Sequence, residues 1–481
     1  MVLAAAIAVI LLFLYLYKLK NAMTSIPEEA LAWRPRPWTA KEIRETYETV
    51  CRKPIDFTRH LPAKLERRYI VVGGSGLVGG DIVLQLLARG QSPSSIRIVD
   101  FTEPSRSDLL EGAAAKTDYV KTDIAEPSSV KAAFTKPWPS DVAGLPLTVF
   151  HTAATIRPGE RSMLFWDRTA RVNVNGTENV LAAAKDAGAD VFVATSSSSV
   201  SLRPVRFLIP PWRSHPYNKF QVCDERDFDR PLRPHGEYFA NYAYSKAIAE
   251  RKVCAANSPG FRTGVIRPGN GIYGSPTDQI CGPTLSEPKS ASFSAHTIQN
   301  FVSGRNVSLG HLLFEAALAG PTVPKCAGRP LVVTDNGPPP QFADFFRAAE
   351  LLTDPPVEVT VVSSLMMYLL AHVVEGWAIL LARVPILTSM LGLSEPKGPV
   401  RHLQPAIWTP SAFVMIDDTA ARKSVEEGGL GYVGACTTLE GVCEQIRDRN
   451  RSQVGKGVKS GAGGVAKTLL ETDLLEEHVG A

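Results

Sequence analysis

A tyrosine and a lysine stand four positions apart in the segment NYAYSKAIAE, at Tyr242 and Lys246. In a helix, side chains at i and i+4 lie on one face, so the phenol and the ammonium group would be neighbours. A free phenol has a pKa of about 10 and is a poor base at neutral pH. A nearby ammonium group favours the phenolate, so the pair predicts a proton-transfer centre with a lowered phenol pKa. Taken alone, this spacing most often marks a solvated helix face.

A run of serines directly follows the apolar segment VFVAT, beginning with Ser196, Ser197 and Ser198. A hydroxyl at the end of a strand can bond to a substrate oxygen and hold it beside the phenol. The spacing leaves all three serines open for this role.

A glycine-rich turn, GGSGLVG, lies between the apolar run YIVVG and the amphipathic run DIVLQLLARG. The glycines at the spacing G-x-x-G-x-x-G are Gly73, Gly76 and Gly79, and Leu77 and Val78 of the same turn are further candidate cofactor-binding residues. Such a turn lets the backbone approach a pyrophosphate, which then faces the free N–H groups and positive dipole of the helix N-terminus. The turn therefore predicts a dinucleotide site, although a glycine turn without a ligand gives the same pattern.

An acidic residue ends the next predicted strand at Asp100, 21 residues after Gly79 (100 − 79). A carboxylate there can accept hydrogen bonds from the adenosine ribose and would repel a 2′-phosphate, which favours NAD over NADP. Arg106 lies close enough in sequence to keep NADP open. Asp123 is a candidate partner of the adenine amino group, with a helix N-cap before Pro127 as the equal alternative.

Short β-branched runs alternate with helical patterns from residue 68 to about 265. This alternation predicts an α/β fold of Rossmann type, a doubly wound parallel sheet with a smaller C-terminal substrate domain. The predicted segments are a membrane anchor at 1–20, a linker or stalk at 21–67 with one helical stretch near 41–51, the dinucleotide-binding domain at 68–265 with an Arg- and Pro-rich surface insertion or lid at 202–235, substrate-domain segments at 266–450, and a flexible tail at 451–481.

The N-terminal segment from Val2 to Tyr17 has sixteen residues without a charge, followed by Lys18 and Lys20. As a helix it would span about 24 Å, and flanking tyrosines and lysines can cover the remaining thickness of a bilayer. The positive charges follow the apolar run, which favours an uncleaved single-pass anchor with the catalytic part facing the cytoplasm. A buried N-terminal helix is the alternative.

A second apolar stretch covers residues 357–393, and His372 and Glu375 lie near its middle. Residues 359–382 are long enough to cross a bilayer, but the two ionisable side chains would make that costly. We therefore expect an amphipathic, half-inserted element beside the site, with a core helix as the alternative.

The overall composition excludes several classes of protein. The formal net charge is only +4 and no basic block occurs, so no nucleic-acid partner is expected. The seven cysteines form no CxxC pair, which indicates a reducing compartment rather than a disulfide framework, and no spacing suggests a metal site.

Taken together, these motifs resemble the extended short-chain dehydrogenases, in particular the 3β-hydroxysteroid dehydrogenase and sterol-4-carboxylate 3-dehydrogenase branch. The similar blocks are GGSGLVGG, FHTAA, VNVNGTENVLAAA, ATSSSSV, YAYSKAIAE and VIRPGNGIYG, followed by NVSLGHLLFEAAL, GRPLVVTDNGPPPQFADFF, LQPAIWTPSAFVMIDDTAARKS and LGYVG. The resemblance covers roughly residues 68–447. It implies Ser197, Tyr242 and Lys246 as the catalytic set, with Ser196 and Ser198 as rivals of Ser197.

The resemblance also implies the remaining functional features. The cofactor would be NAD. The substrate would be a sterol, steroid or triterpenoid-like lipid that is oxidised or reduced at a 3β-hydroxyl or 3-keto group. The protein would lie at the membrane of the endoplasmic reticulum. Loss of a C4 carboxylate can accompany the oxidation. Extended short-chain enzymes commonly pair through helices, so the resemblance leaves a homodimer open. The alternatives are a nucleotide-sugar epimerase or dehydratase and a dinucleotide-binding scaffold without turnover.

Two departures from the family pattern concern the substrate more than the chemistry. Forty-five residues separate Ser197 from Tyr242 (242 − 197), a longer insertion than this branch usually has, and Asn241 replaces a proline that commonly precedes the tyrosine.

Overall fold

The computed structural model describes residues 1–34 and 36–454. The strands are β1 (Arg68–Val72), β2 (Ile96–Asp100), β3 (Asp118–Lys121), β4 (Leu147–His151), β5 (Ala189–Thr195), β6 (Phe220–Cys223), β7 (Arg262–Pro268), β8 (Ile272–Tyr273), β9 (Lys289–Ser292), β10 (Val302–Ser303), β11 (Pro330–Val333), β12 (Glu358–Val361) and β13 (Phe413–Ile416). The helices are α1 (Val2–Thr24), α2 (Glu28–Trp33), α3 (Ala40–Arg52), α4 (Leu77–Ala88), α5 (Pro127–Thr135), α6 (Asp167–Ala170), α7 (Thr177–Asp186), α8 (Asn241–Ala255), α9 (Gly282–Ser286), α10 (Gly304–Ala319), α11 (Phe342–Leu352), α12 (Ser364–Arg383), α13 (Pro385–Ser389), α14 (Pro399–His402), α15 (Thr419–Arg422) and α16 (Thr438–Val454).

Seven parallel strands form the central sheet, in the order β11-β7-β5-β4-β1-β2-β3. Both faces of this sheet are covered, which explains why its strands are almost continuously apolar. One apolar layer joins the sheet to α4 and α10, and a second joins it to α5, α7 and α8. The order β3-β2-β1-β4-β5 is that of a doubly wound nucleotide-binding sheet, so the predicted Rossmann-type α/β fold is confirmed.

The structure differs from the predicted boundary of the dinucleotide-binding domain at residue 265. Strand β7 continues to Pro268, and β11, which comes more than sixty residues later (330 − 265), adds the edge strand beside it. The sequence PLVV is short and apolar, as a buried edge strand requires, but it lies inside a stretch that otherwise belongs to the substrate domain. The two parts of the chain are therefore interleaved.

Residues 21–67 do not form the predicted stalk. The expected helical stretch is present as α3, and a Thr39–Glu42 capping box begins it. Its apolar face, with Ile43 and Val50, is buried against α11 and α16 in one cluster with Phe345 and Ile446. The polar composition misled the prediction because only every third or fourth residue of this helix is apolar.

The insertion at 202–235 is also more than a surface excursion. Its strand β6 pairs in parallel with β13, near the C-terminal end of the chain. Buried Arg267 of the central sheet holds the following turn, bonding to Asp227 at 2.6 Å and to the Asp224 carbonyl at 2.9 Å. The insertion therefore joins the sheet to the substrate domain.

Within residues 1–34 and 36–454, two helices are long and apolar enough to cross a membrane, α1 and α12. Most of α1 is exposed, whereas α12 buries one face. Of the predicted flexible tail at 451–481, residues up to Val454 continue helix α16, and the rest lies outside the described residues.

Candidate active site

The glycine turn lies between β1 and α4, at the carboxyl edge of the sheet. Gly73 has φ 85°, and a Cβ there would lie 2.5 Å from the Ala153 amide nitrogen. A Cβ at Gly79 would lie 2.2 Å from the Gly73 carbonyl oxygen. These two glycines therefore allow backbone to pack against backbone. Gly76 is different: a Cβ there would approach the Gly73 oxygen only to 3.4 Å, and Gly76 is exposed and lines the large cavity.

Helix α4 begins at Leu77 with no side-chain cap at Gly76. Its first N–H groups are therefore left for a ligand rather than for a capping side chain. Leu77 and Val78 line the cavity together with the glycines. An uncapped helix N-terminus beside a glycine that tolerates close approach fits the pyrophosphate of a dinucleotide.

Asp100 ends β2 and lines the same cavity. Its carboxylate accepts the Ser75 amide at 3.0 Å and the Thr102 amide at 3.1 Å, so it is fixed beside the glycine turn. Burial raises the pKa of Asp100, partly offset by these amides. Arg106 donates to the Leu77 carbonyl and to two carboxylates, those of the buried Asp81 on α4 and of Asp108. Because Arg106 is not among the residues that line the cavity, the geometry favours NAD over NADP.

Asp123 also lines the cavity, after β3. Its carboxylate accepts the Ala125 amide at 2.9 Å, and Arg171 lies 3.7 Å from it. The residue at the N-cap of α5 is Glu126, so the N-cap alternative for Asp123 is wrong. The adenine role of Asp123 stays a prediction.

Tyr242 lies on α8 and Ser197 follows β5, and both line the cavity that holds the glycine turn. The Ser197 side chain lies close enough to Tyr242 to lower the pKa of its phenol. Ser197 Oγ also accepts the Ser199 amide at 3.2 Å. Ser196 lines the cavity as well, whereas Ser198 is buried away from it. The contact with Tyr242 favours Ser197 among the three predicted serines.

Lys246 lies one turn beyond Tyr242 and is almost fully buried. Its Nζ donates to the Thr195 carbonyl at 2.9 Å, which ties α8 to the end of β5. Burial lowers the pKa of Lys246 to about 8, and Glu250 one turn further acts in the opposite direction. The lysine therefore lies at the cavity, as its position on the helix predicts.

The expected lowering of the phenol pKa is not met in the protein alone. Burial raises the pKa of Tyr242 to about 12, and only the neighbouring Ser197 side chain acts against it. The physical reason is that the free energy lost when a phenolate is removed from water exceeds the stabilisation that the neighbouring groups of the chain provide. The ammonium of Lys246 acts instead on His151, whose pKa falls to about 3 through burial and then through Lys246.

Two asparagines hold helix α8 in place. The sequence alone did not assign this role to either of them. Asn173, in the π-helical turn Arg171–Gly176, donates to Ser245 Oγ at 3.0 Å and exchanges hydrogen bonds with the backbone of Thr155 at 2.9 and 3.0 Å. Asn241, in place of the usual proline, donates to the Ser162 carbonyl at 2.9 Å and bonds to His235 at 2.8 Å. A π-turn often marks a functional site, but only the VNVNGT block hinted at it in the sequence.

The cavity has a volume of about 1600 Å³ and runs from the glycine turn to the substrate domain. This exceeds the usual 300–1,000 Å³ of a single ligand site, so a dinucleotide and a second molecule fit together. The part of the cavity lined by the substrate domain, here called its far part, includes the aromatic side chains Phe293, Phe342 and Phe346. In the part of the chain that the structure describes, no group of three or more His, Cys, Asp or Glu side chains is arranged to hold a metal ion.

These features define a class, the NAD-dependent short-chain dehydrogenases of the extended type. A profile of the 3-beta hydroxysteroid dehydrogenase/isomerase family matches residues 70–353, and the chain belongs to that family. It is an NAD-dependent oxidoreductase.

Curated relatives agree with this membership. A 2-alkyl-3-oxoalkanoate reductase of Stenotrophomonas maltophilia is 31% identical over 57% of this chain and 72% of its own length. The human sterol-4-alpha-carboxylate 3-dehydrogenase, decarboxylating, is 28% identical over 57% of this chain and 64% of its own. A 3beta-hydroxysteroid-dehydrogenase/decarboxylase of Arabidopsis thaliana is 27% identical over 85% of this chain and 69% of its own.

Solved structures are similar in fold. A UDP-glucose-4-epimerase from Stenotrophomonas maltophilia, solved with bound NAD, has a TM-score of 0.52 at 16% identity and covers 81% of this chain and 100% of its own. At this identity the likeness shows the fold alone, so it gives no support to the epimerase alternative.

Proposed function

We propose that this enzyme uses NAD to oxidise the 3β-hydroxyl group of a sterol, steroid or triterpenoid-like lipid, and reduces the ketone in the reverse direction. The observation that supports it best is that Ser197, Tyr242 and Lys246 line one cavity with the glycine turn. The sterol and steroid activities for which the human and Arabidopsis relatives are named support the lipid class. The aromatic far part of the cavity suits a lipophilic substrate.

In the proposed reaction, Tyr242 Oη takes the proton of the substrate alcohol while Ser197 Oγ holds the same oxygen. NAD, when bound, supplies the hydride acceptor and a positive charge on its oxidised ring. Lys246 holds the end of β5 through the Thr195 carbonyl and adds a second positive charge to the site. The alcohol C–H bond loses its electron pair as hydride, the O–H proton goes to the phenolate, and a ketone results.

Where the substrate has a carboxylate on the carbon next to the new ketone, a β-keto acid forms. Its carbon–carboxyl bond can break without a further catalytic group, because the electron pair moves into the ketone as an enolate and carbon dioxide leaves. We include this decarboxylation in the proposal for substrates with a C4 carboxylate.

The nucleotide-sugar alternative needs basic groups free for a diphosphate. Arg168, which lines the cavity, pairs with carboxylates instead: Glu160 at 3.1 Å and Glu395 at 2.7 Å. This pairing offsets the charge of Arg168, so a diphosphate would have to bind the other basic residues of the lining, which apart from Lys246 are Arg157, Arg171, Lys397 and Arg401.

A substrate panel tests the proposal. Purified full-length protein is incubated with NAD and 3β-hydroxysterols with and without a 4-carboxyl group, and NADH absorbance is followed. In the sugar-nucleotide arm, UDP-glucose is added and conversion to UDP-galactose is measured by chromatography, because an epimerase returns the hydride to its substrate and releases no NADH. Tyr242→Phe is the loss-of-base control, and Tyr244→Phe on the same helix is the matched control. Sterol turnover lost only in Tyr242→Phe is expected. NAD binding without turnover on any substrate would favour the scaffold alternative.

We also propose that α1 anchors the protein in a membrane, the endoplasmic reticulum by family expectation, with the catalytic part on the cytoplasmic side. Helix α12 would lie on that membrane rather than cross it. Its Glu375 is buried and paired with Arg161 at 2.6 Å, whereas Met366 and Val373 on its other face are 64% and 67% exposed. The predicted homodimer stays a prediction.

A further inference from the structure

The insertion between β5 and α8 has an unusual tip. Trp212 is 85% exposed and Leu208 is 56% exposed, beside the partly exposed Tyr217. The backbones of Arg206 and Tyr217 pair as an antiparallel bridge, so residues 206–217 form a closed loop, which we name the tryptophan loop. Exposed apolar side chains grouped in one short loop, rather than scattered singly, are typical of a protein or membrane interaction site.

The tryptophan loop is bound to the end of the proposed anchor. Tyr15 Oη of α1 donates to the Ile209 carbonyl at 2.8 Å, and Lys18 Nζ donates to the Pro211 carbonyl. Just beyond the loop, buried Lys219 donates to the Ala22 and Ser25 carbonyls at 2.5 Å each. A cation at the last carbonyls of a helix stabilises its C-terminus, so the insertion fixes where α1 enters the catalytic part.

Apolar packing joins the same elements. Phe207 and Ile209 are buried in one cluster with Leu19 and Met23 of α1, and Tyr368 of α12 belongs to it as well. The tip of the loop is therefore attached at the level of Tyr15 and Lys18, where the uncharged part of α1 ends.

The charged side chains of the tryptophan loop and of the adjoining end of α1 are all positive. No acidic residue occurs between positions 202 and 223. Arg206 is exposed, and Arg213 stacks over Tyr217 with its guanidinium 3.3 Å from the ring centre. Lys18 and Lys20 of α1 add two more positive charges at the same end. Protein segments that lie at the bilayer interface are rich in exposed tryptophan and tyrosine, and basic side chains next to them favour anionic lipids.

We propose that the tryptophan loop is a lipid-headgroup contact, with Trp212 in the interface of an anionic bilayer and Arg206 and Arg213 at its phosphates. This proposal rests on the proposed anchoring by α1, and the tryptophan loop adjoins that helix. The contact holds the catalytic part in one orientation on the membrane, because the loop is joined to both α1 and the β6–β13 pair. A single helix alone would leave that orientation free.

The test uses full-length protein with a fluorescent label on one introduced cysteine. Cys51 is the one native thiol that is not buried, so it is replaced by serine. Labels are placed at Trp212, at Leu11 of α1, and at Leu110 as the control, which is 56% exposed like Leu208. The protein is reconstituted in vesicles of phosphatidylcholine and phosphatidylserine that contain quenchers either at the headgroup or deep in the acyl chains.

We expect several-fold stronger headgroup quenching at Trp212 than at Leu110, and deep quenching at Leu11. The double variant Arg206→Glu, Arg213→Glu should lower the quenching at Trp212 and leave that at Leu11 unchanged. Quenching at Leu11 with none at Trp212 would overturn the loop contact while the anchor stands. Quenching at neither position would overturn the anchor and the loop contact together. Deep quenching at Trp212 would contradict the headgroup assignment.

Discussion

The glycine turn offers a matched pair of substitutions that separates cofactor binding from folding. In Gly79→Ala, the new methyl would lie 2.2 Å from the Gly73 oxygen, 2.7 Å from the Gly73 carbonyl carbon and 2.8 Å from Gly74 Cα. All three are backbone atoms, so the clash cannot be relieved by a side-chain rotation. Overpacking of this kind costs about 1–3 kcal/mol, and more where backbone must move. We expect Gly79→Ala to lower the unfolding temperature and to weaken NAD binding.

Gly76→Ala should separate the two effects. The methyl meets only the Gly73 oxygen at 3.4 Å, and the φ of −79° suits alanine, so stability should stay close to that of the native protein. The methyl would, however, occupy space beside the uncapped start of α4, where a pyrophosphate must approach. Loss of one charge-assisted hydrogen bond costs about 1.5–3 kcal/mol, which corresponds to a dissociation constant raised on the order of 10- to 150-fold.

The assay measures thermal unfolding and NAD affinity side by side. Both variants are purified in detergent, unfolding is followed by differential scanning fluorimetry, and NAD binding by isothermal titration calorimetry. The predicted pattern is low stability with weak binding for Gly79→Ala, and normal stability with weak binding for Gly76→Ala. If Gly76→Ala bound NAD as tightly as the native protein, the assignment of this turn to the pyrophosphate would be refuted.

Three further predictions follow from the geometry. Burial raises the pKa of Tyr242 to about 12. The cofactor-free native protein and Tyr242→Phe should therefore show no difference in phenolate absorbance up to pH 9. A phenol that titrates at or below its ordinary pKa of about 10 would contradict this prediction. Asp100→Asn should weaken NAD binding and raise the NADP-to-NAD affinity ratio, since a repelling charge is removed; an unchanged ratio by calorimetry would argue against the ribose role. Arg161→Ala leaves Glu375 buried without its guanidinium partner and should lower the unfolding free energy by about 1–3 kcal/mol, discounted for the partial exposure of Arg161. Arg161→Lys should lose less in the same denaturant titration, and equal losses would contradict the ion-pair explanation.

The nucleotide-binding half was predictable because its signals are local. The turn at Gly73 to Gly79, the acid at Asp100 and the spacing of Tyr242 and Lys246 follow directly from backbone geometry and strand order. Each depends on neighbours in sequence or on the fixed edge where parallel strands end.

The features that were missed depend on contacts distant in sequence. Strand β11 joins the sheet from the substrate domain, and α3 is buried by α11 and α16, which come about three hundred residues or more later (342 − 40). No local pattern encodes such pairings. The phenol pKa was mispredicted for a similar reason: the spacing gives the neighbour Lys246 but not the depth of burial, and burial dominates.

The central claim is that Tyr242 takes the hydroxyl proton of the alcohol whose carbon passes a hydride to NAD. The most direct test is single-turnover oxidation, by native protein and by Tyr242→Phe, of a 3β-hydroxysterol with hydrogen or deuterium on C3, once the panel has identified a substrate. The account predicts a primary isotope effect on NADH formation in the native protein, and in Tyr242→Phe a rate lowered at least about 100-fold with NAD affinity unchanged. NADH formation at the native rate in Tyr242→Phe would contradict it.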